Sequence, residues 1–514
     1  MVPDDYFETM LTEGKNDSTE AAYEELERRI RRCSNLDAAA RALSWDLRVV
    51  MPDAGTPARA EQLSTLTGIH HEELTDEEFG RLLETVEAGE LEDGKSAVVR
   101  EARRQYDRRT DVPRDLIERI AETASSAHPV WKRAKAEDDF DSFAPMLESL
   151  LELKREYASY VDPDVEPYAV LFADYEPFLD LETAERILSE LRTELPPLID
   201  AIQDSDVELA DAFTGSFDVD TQEKLSRAVL DALGYDWSRG RLDRAPHPFA
   251  SGTPFDARVT TRFDESDMLC PIMSTIHEFG HANYTLGLPR DQYGTPLGQA
   301  QGLTVHESQS RLWENHVGRS EAFWEFFLPT ATKHFPQLES VSPREAYESA
   351  NRVYDDNLIR TEADELTYHL HIVVRYELER ALLEGDLAVA DIPAAWNDSY
   401  ETYLGVRPDS DTEGCLQDTH WSHGSFGYFP TYTLGSVLAA QLWAAAEAAI
   451  PDLDDAIRSG TFDPLSDWLR EQVHRHGKRY TTPELIERVT GEPLTARYFL
   501  SYIRSKYRPL YGIE

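Results

Sequence analysis

Residues 274–285 read STIHEFGHANYT, in which two histidines stand four positions apart and a glutamate directly follows the first. On a helix, His277 and His281 lie on one face a turn apart, so each can offer a ring nitrogen to the same metal ion. The HExxH pattern fixes only three positions of five and also arises by chance. Features elsewhere in the sequence are therefore needed to distinguish a catalytic metal site from two histidines in an ordinary helix.

A third metal ligand is available on the C-terminal side of the motif. A hydrolytic zinc site needs three protein ligands and one open position. Residues 304–315, TVHESQSRLWEN, have a helical pattern and contain His306 and Glu307. We assign Glu307 as the third ligand, with His306 as the alternative. Glu278 then serves as the catalytic general base, because its carboxylate can take a proton from water at the metal and pass it to the leaving amine.

The pattern around the motif is helical almost throughout, with one exception. In residues 254–263, PFDARVTTRF, the apolar residues Phe255, Ala257 and Val259 alternate with polar ones, which predicts a β-strand. Elsewhere, apolar residues recur at intervals of three and four, as expected for helices. We therefore expect a mostly α protein with a small β-sheet next to the HExxH helix.

Length and composition exclude several classes of protein. The chain has 514 residues, of which 41% are hydrophobic, enough for a large core. No apolar run approaches the length of a membrane span, and residues 1–20 lack the basic and apolar pattern of a signal peptide. The three cysteines are an odd number, which argues against a disulfide framework, and none lies in a CxxC pair, which argues against a thiolate metal site. We predict a cytoplasmic location without membrane association.

The charge of the chain is strongly negative. Asp and Glu number 97 against 51 Lys and Arg, giving a formal net charge of −46, and 42 of those 51 cations are arginine. The acidic residues are distributed along the chain rather than concentrated in a tail. Such a surface suits a protein that stays soluble in concentrated salt, where screening removes the self-repulsion. We expect a halophilic protein with no nucleic-acid partner.

Six short motifs follow one another along the chain, namely HPF (247–249), D-x-R-x-T (Asp256, Arg258, Thr260), HEFGH (277–281), H-E-S (306–308), IRTEAD (359–364) and GCLQDTHW (414–421). Together they resemble the motifs of the Taq-type zinc carboxypeptidases, the thirty-second family of metallopeptidases. The ADYEP stretch (173–177) and the segment from Met51 are also similar to the family's N-terminal half. Chance does not account for six ordered motifs, so the resemblance decides in favour of the metal site.

The resemblance implies a two-lobed, saddle-shaped helical metallopeptidase with a deep central groove and zinc on its floor. The chain would form a single domain over 1–514, with an N-terminal helical half over about 1–245 and a catalytic half over about 246–514. The family removes amino acids one at a time from peptide C-termini with broad specificity, as a homodimer, using zinc or cobalt. We therefore predict a metallocarboxypeptidase with one Zn²⁺ per chain, Co²⁺ as a substitute, and peptides with a free C-terminus as substrates.

Two alternatives remain open at this point. The first is an oligopeptidase or dipeptidyl carboxypeptidase on the same fold. The second is a catalytically inactive helical scaffold that binds peptides. The second alternative requires a broken site, whereas the three assigned ligands and the assigned base are all present in the sequence.

Hydrolysis also requires donors for the oxyanion and a cation for the C-terminal carboxylate of the peptide. Donors stabilise the charge that develops on the carbonyl oxygen, and residues 417–432, QDTHWSHGSFGYFPTY, supply four candidates. By resemblance we assign His420 and Tyr428 to this catalytic role and His423 and Tyr432 to substrate binding, although His420 and His423 could exchange roles.

A C-terminal carboxylate favours a planar, bidentate cation, which means an arginine. Position within a motif makes Arg360 the first choice and Arg258 the second, and Arg407 is a third possibility. Three motif aspartates are expected to orient ligands or arginines, namely Asp256, Asp364 and Asp418.

Overall fold

Helices make up 69% of the chain. The computed structural model describes the backbone of residues 4–513 and the side chains of residues 18–513, so most of the stretch used to predict the absence of a signal peptide lies outside the described side chains. Within these bounds nine α-helices precede the HEFGH motif. They are α1 (Asp4–Val49), α2 (Thr56–Leu74), α3 (Glu77–Glu87), α4 (Asp93–Thr110), α5 (Arg114–Glu137), α6 (Phe140–Val161), α7 (Pro167–Tyr175), α8 (Leu181–Gln203) and α9 (Val219–Ala232).

A three-stranded sheet follows these helices. Its strands are β1 (Leu242–Arg244), β2 (Ala250–Thr253) and β3 (Asp256–Thr261), in the order β1-β3-β2. The central strand β3 runs parallel to β1 and antiparallel to β2. Ala257 and Val259 are buried while Arg258 between them is half-buried, as the alternating pattern predicts. The predicted strand is therefore confirmed over Asp256–Thr261, but the predicted alternation is incomplete, because Phe255 precedes the strand and is exposed and Thr260 is buried.

The HEFGH motif lies on α10 (Leu269–Gly287), which contacts β2 and β3. Asp267 Oδ1 accepts hydrogen bonds from the backbone N–H groups of Leu269 and Cys270 at 2.9 and 3.0 Å. This carboxylate satisfies donors of the first turn that have no partner within the helix. The helix ends at Gly287, two residues before Pro289, where the chain turns away.

The remaining chain returns to helices. These are α11 (Leu303–Arg311), α12 (Glu321–His334), α13 (Pro343–Ala350), α14 (Thr367–Glu384), α15 (Ile392–Leu404), α16 (Pro430–Ala449), α17 (Leu453–Arg458), α18 (Asp463–Gln472), α19 (Thr482–Thr490) and α20 (Arg497–Leu510). A π-helical segment, Leu312–Gly318, continues α11, and a short 3₁₀ segment, His420–His423, precedes α16.

Two apolar cores hold the helices together. The larger core contains buried residues from Ala127 to Tyr511, and the smaller one contains residues between Tyr23 and Ala102. The larger core therefore includes side chains from both sides of position 245. No helix in the described part of the chain is long and apolar enough to cross a membrane. The predicted fold class, mostly α with a small sheet next to the HEFGH helix, is confirmed.

Candidate metal centre and active site

The two histidines of α10 and the glutamate of α11 meet at one point. One ligand atom from each of His277, His281 and Glu307 lies within 4.8 Å of the other two. Oε2 of Glu307 is 3.8 Å from Nε2 of His277 and 3.4 Å from Nε2 of His281. The structure thus brings together the three residues that the sequence assigned as metal ligands, and we call them the metal cluster.

Two glycines allow the helices to approach closely enough to form this cluster. A Cβ on Gly280 would lie 2.5 Å from the carbonyl oxygen of Gln309 on α11. A Cβ on Gly435 of α16 would lie 2.5 Å from Cβ of Glu307. Glycine costs about 1 kcal/mol of helix propensity relative to alanine. The contact across Gly280 gives the physical reason for a glycine inside the HEFGH motif.

The second ring nitrogen of each cluster histidine is also engaged. Nδ1 of His277 lies 2.8 Å from Oε2 of Glu314, and Nδ1 of His281 lies 2.7 Å from Nδ1 of His306. His306, the alternative third ligand, therefore contacts the side of the His281 ring that faces away from the cluster. Burial lowers the pKa of His306 to about 3, so this ring is neutral and one of the two facing nitrogens carries the hydrogen. Partners of this kind fix the orientation of a ligating imidazole.

A single arginine connects the two carboxylates of this region. Arg311 donates from Nε to Oε1 of Glu307 at 2.9 Å and from Nη1 to Oε2 of Glu314 at 3.2 Å. Burial acts to raise the pKa of Glu307, but the neighbouring His277 and Arg311 lower it to well below its usual range. The pKa of Glu314 is lowered in the same way by Arg311 and His277 against the effect of burial. Both groups are therefore carboxylates.

The residues present fit a metal ion. Two imidazole nitrogens and one glutamate oxygen form the donor set of the His₂Glu catalytic zinc sites. Ligand atoms about 2.1 Å from a tetrahedral zinc ion are about 3.4 Å apart. The separations of 3.4 and 3.8 Å measured from Oε2 of Glu307 are close to this value. The partners on the outer sides of both histidines complete an arrangement that holds the nitrogens towards one point.

Glu278, the assigned general base, is buried beside the cluster with only 5% of its surface exposed. Its Oε2 has no hydrogen-bond partner among the described residues. Burial raises the pKa of Glu278, while His277 and His281 act to lower it. A carboxyl group with a raised pKa and an unused oxygen is suited to accept a proton.

The assigned oxyanion donors lie together in the segment 417–432, which we call the donor segment. Nε2 of His420 is 3.4 Å from the hydroxyl of Tyr432, and the His420 and Tyr428 ring centroids are 5.5 Å apart. Burial lowers the pKa of His420 to about 4, so its ring is neutral at pH 7. Burial raises the pKa of Tyr428, and the Glu307 carboxylate raises it further, so its hydroxyl keeps its proton and can donate. Tyr428 stands two residues before α16, whose Gly435 packs against Glu307 of the metal cluster.

His423 lies apart from these donors. Its ring is exposed and stacks on His128 of α5, with centroids 4.5 Å apart. Of the two histidines that could exchange roles, His420 is therefore the one that lies with Tyr428 and Tyr432 in this structure.

Arg360, the first candidate for binding a C-terminal carboxylate, is buried. It donates from Nε and Nη2 to Oδ1 of Asp418 at 3.0 and 2.8 Å, and from Nη1 to the Tyr368 hydroxyl at 3.2 Å. Its guanidinium carbon lies 5.2 Å from the centre of the Tyr432 ring, so it is next to the donor segment. Asp418 is thus the aspartate that orients this arginine.

The other two arginines lie in different surroundings. Arg258 on β3 is half-buried, forms an ion pair with Asp256 at 2.6 Å and lies 5.7 Å from the centre of a tryptophan ring. Arg407 pairs with the exposed Asp398 and Glu401 and lies on the surface. The structure does not bring Arg407 together with the donor segment. The third motif aspartate, at position 364, accepts hydrogen bonds from its own neighbourhood and orients neither a cluster ligand nor an arginine.

Sequence reasoning missed several residues that support the site. Arg311 and Glu314 follow Glu307 by four and seven residues, so a search for polar residues on the same helix face could have found both. Arg375 donates to Oδ2 of Asp418 at 2.6 Å, and Glu379 accepts from the indole of Trp421 at 2.8 Å. These two residues of α14 carry no motif, and only the fold brings them to the donor segment.

The family of this protein follows from its similarity to known proteins. A family model described as carboxypeptidase Taq (M32) metallopeptidase matches residues 25–507. The chain belongs to this family. It is therefore a metallocarboxypeptidase, a peptide hydrolase that uses a metal ion.

Carboxypeptidases with known names or structures match nearly the whole chain. Thermostable carboxypeptidase 1 of Thermus thermophilus is 41% identical over 96% of this chain and 99% of its own length. Carboxypeptidase 1 of Bacillus subtilis is 35% identical over 94% of this chain and 97% of its own length. The crystal structure of the M32 carboxypeptidase of Deinococcus radiodurans matches with a TM-score of 0.93 and 39% identity, covering 96% of this chain and all of that one.

Proposed function

We propose that this M32 protein is a zinc-dependent carboxypeptidase that releases single C-terminal amino acids from peptides with broad side-chain tolerance. The observation that carries the proposal is the metal cluster with Glu278 buried beside it. The N₂O donor set is one that zinc favours, and cobalt can take the same geometry. Broad tolerance and stepwise release rest on the family resemblance of the motifs.

Each side chain of the proposed active site has its own role in peptide hydrolysis. When bound, a zinc ion supplies Lewis-acid activation of water and of the scissile carbonyl. Glu278 accepts a proton from the attacking water on its unused oxygen and delivers it to the leaving amine. Tyr428 and His420 donate hydrogen bonds to the oxygen on which negative charge develops, which lowers the barrier selectively. Glu314 and His306 keep the cluster histidines in place.

Exopeptidase action requires recognition of the free carboxylate. Arg360 lies against the Tyr432 ring and next to the donor segment, which supports it as the cation for this role. Arg258 is the second candidate, because part of its guanidinium group is accessible while Asp256 holds it. In the proposed complex Tyr432 and His423 contribute to substrate binding.

The decisive experiment compares a short peptide that has a free C-terminus with its C-terminally amidated twin. Products are followed by mass spectrometry at high salt, with and without a chelator. Stepwise loss of single C-terminal residues from the free peptide only, abolished by the chelator, is the expected result. Equal cleavage of both peptides, or internal cuts, would instead favour an oligopeptidase or a dipeptidyl carboxypeptidase.

The identity of the metal is tested by removing the bound ion and adding back Zn²⁺ or Co²⁺. The apoprotein prepared with a chelator is expected to regain activity with one equivalent of Zn²⁺ or Co²⁺ per chain. Elemental analysis of the protein as isolated then gives the physiological metal. Recovery that needs two equivalents would contradict a site built from one His₂Glu cluster.

We further propose that the protein works in the cytoplasm of a salt-adapted cell as a homodimer on peptide substrates, without nucleic acid or membrane partners. The net charge of −46 with few lysines supports salt adaptation, and the three unpaired cysteines suit a reducing compartment. The melting temperature is expected to rise with KCl concentration as self-repulsion is screened. Light scattering in the same buffers tests the dimer, which rests on the family resemblance.

A further inference from the structure

Glu379 lies in α14 and is completely buried, although no motif marks it. Its Oε1 accepts a hydrogen bond from the indole N–H of Trp421 at 2.8 Å. Its Oε2 accepts one from the backbone N–H of Gly427 at 3.0 Å and lies 3.3 Å from the hydroxyl of Tyr168. Burying a carboxyl group is costly unless its oxygens are satisfied, and here both of them are.

The two N–H groups that bind Glu379 stand next to the assigned oxyanion donors in the chain. Trp421 directly follows His420, and Gly427 directly precedes Tyr428. One carboxyl group therefore fastens both ends of the loop that separates the two donors. Gly427 has φ of +81°, and a Cβ there would lie 2.6 Å from the backbone nitrogen of Phe172. The loop is thus also pressed against α7 and has little room to shift.

The start of the donor segment is docked on the same helix. Arg375, one turn before Glu379 on α14, donates to Oδ2 of Asp418 at 2.6 Å. Arg375 and Glu379 stand four residues apart and face the same side of α14. This helix consequently holds the donor segment at Asp418, at Trp421 and at Gly427.

We propose that Glu379 is a positioning residue that sets the separation of His420 and Tyr428 and so prepares both donors for the oxyanion. This inference rests on the proposed catalytic role of those two residues. Glu379 itself does not reach the substrate, because Trp421, Gly427 and Tyr168 occupy its oxygens. Its contribution is to hold two donors in the geometry that only the transition state uses fully.

The hydrogen bonds from Trp421 and Gly427 require two acceptor oxygens on Glu379, but they do not require a negative charge on it. Burial raises the pKa of Glu379 to about 8, and the bonds from Gly427, Trp421 and Tyr168 act to lower it. At pH 7 the neutral acid therefore predominates. A carboxylic acid still offers both oxygens to the two N–H groups, and the Tyr168 hydroxyl can accept its proton because a hydroxyl both donates and accepts.

The substitution Glu379→Gln tests the proposal with almost no change of shape. The amide replaces one oxygen by an NH₂ group, which must face the N–H of either Trp421 or Gly427, donor against donor. We expect kcat to fall about 10- to 100-fold, as for a displacement of catalytic groups by about 1 Å. KM and the bound metal are expected to stay near the wild-type values. The matched control is Glu384→Gln on the same helix, which removes a partly exposed ion pair with Arg380.

A second variant separates positioning from a general loss of stability. In the double variant Glu379→Gln with Trp421→Phe, the NH₂ group faces no donor, and the amide oxygen can accept from Gly427. We expect the double variant to recover part of the kcat lost in Glu379→Gln alone. A double variant with a lower kcat than Glu379→Gln would overturn the proposal. If the hydrogen bond between Trp421 and Glu379 only stabilised the fold, removing the indole N–H would add to the loss of activity instead of relieving it.

Hydrogen–deuterium exchange keeps this test independent of the proposed activity. Glu379→Gln is expected to speed exchange in peptides that cover residues 420–428 and to leave α10 and α11 unchanged. This result together with a wild-type protein that lacks carboxypeptidase activity would sustain the anchoring and refute the proposed function. Unchanged exchange over 420–428, or an unchanged kcat, would refute the positioning role.

Discussion

The metal cluster and the donor segment are built in different ways, although both belong to one site. The polar partners of the cluster come from the helices that carry the ligands, since Glu314, Arg311 and His306 all lie on α11 and its π-helical extension. The donor segment depends on partners that are distant in sequence. Lys135 of α5 donates to the carbonyl of Gln417, and two residues of α14 hold the aspartate and the loop.

The difference extends to charge. The cluster is a chain of ionised groups, in which Arg311 stabilises two carboxylates that in turn face the histidines. The donor segment presents neutral groups, because burial lowers the pKa of His420 to about 4 and raises that of Tyr428. An ionised cluster suits the holding of a cation, whereas neutral donors suit an oxygen that becomes charged only during the reaction. The comparison predicts distinct defects when each region is altered.

The largest effect is expected at Glu278, the buried carboxyl group beside the metal cluster. Glu278→Gln removes the proton acceptor but leaves the three cluster ligands in place. We expect kcat to fall about 10²- to 10⁴-fold, the usual contribution of general base catalysis. Release of the C-terminal amino acid gives the rate, and elemental analysis gives the metal content. A variant with full metal content and kcat near the wild type would exclude Glu278 as the base.

Removal of a donor hydroxyl is expected to have the next largest effect. Tyr428→Phe should lower kcat about 10²- to 10³-fold, as for the loss of one oxyanion donor, without loss of metal. The matched control is Tyr432→Phe, which removes the neighbouring hydroxyl that contacts His420 at 3.4 Å. A larger fall in kcat for Tyr432→Phe would exchange the roles of the two tyrosines.

Substitution of a residue that contacts the outer nitrogen of a cluster histidine should alter the metal affinity rather than kcat. Glu314→Gln removes the carboxylate that faces Nδ1 of His277, and loss of such a partner typically lowers metal affinity 10- to 100-fold. At saturating metal, kcat is expected to stay close to wild type. Competition with a chromophoric chelator measures the affinity, with Glu321→Gln, a half-buried glutamate of α12, as control. An unchanged affinity would show that His277 is oriented without Glu314.

The same comparison explains how much of the molecule the sequence could predict. The fold class, the strand at 256–261 and the meeting of His277, His281 and Glu307 follow from local periodicity and motifs. The separation of His420 from His423 does not, because it depends on the stacking of His423 on His128, almost 300 residues earlier in the chain. The burial and the contacts of Glu379 could not be predicted either, because a lone glutamate in a helical sequence has the pattern of a solvent-exposed residue.

The smallest effect concerns Glu176, a buried carboxyl group at the start of α11. Its Oε1 accepts the backbone N–H of Thr304 in the first turn of α11 at 2.5 Å, so it anchors the helix that carries Glu307. Burial raises the pKa of Glu176 to about 7, against the lowering effect of the bonds from Thr304 and Thr482. Between pH 4.5 and 7 the folded protein therefore keeps a proton that the unfolded chain releases. Stability contributed by this group is complete at low pH and is lost as the pH rises to 7.

Glu176→Gln should remove this pH dependence while its oxygen still accepts from Thr304. With about 1.4 kcal/mol per pKa unit, the free energy of unfolding of the wild type should fall, relative to the variant, by up to about 3 kcal/mol between pH 5 and 8. Urea unfolding of both proteins at fixed salt measures the difference, in which all other titrating groups cancel. Parallel pH profiles would mean that Glu176 is ionised in the folded state. The anchoring of α11 would then resemble the ionised metal cluster rather than the neutral donor segment.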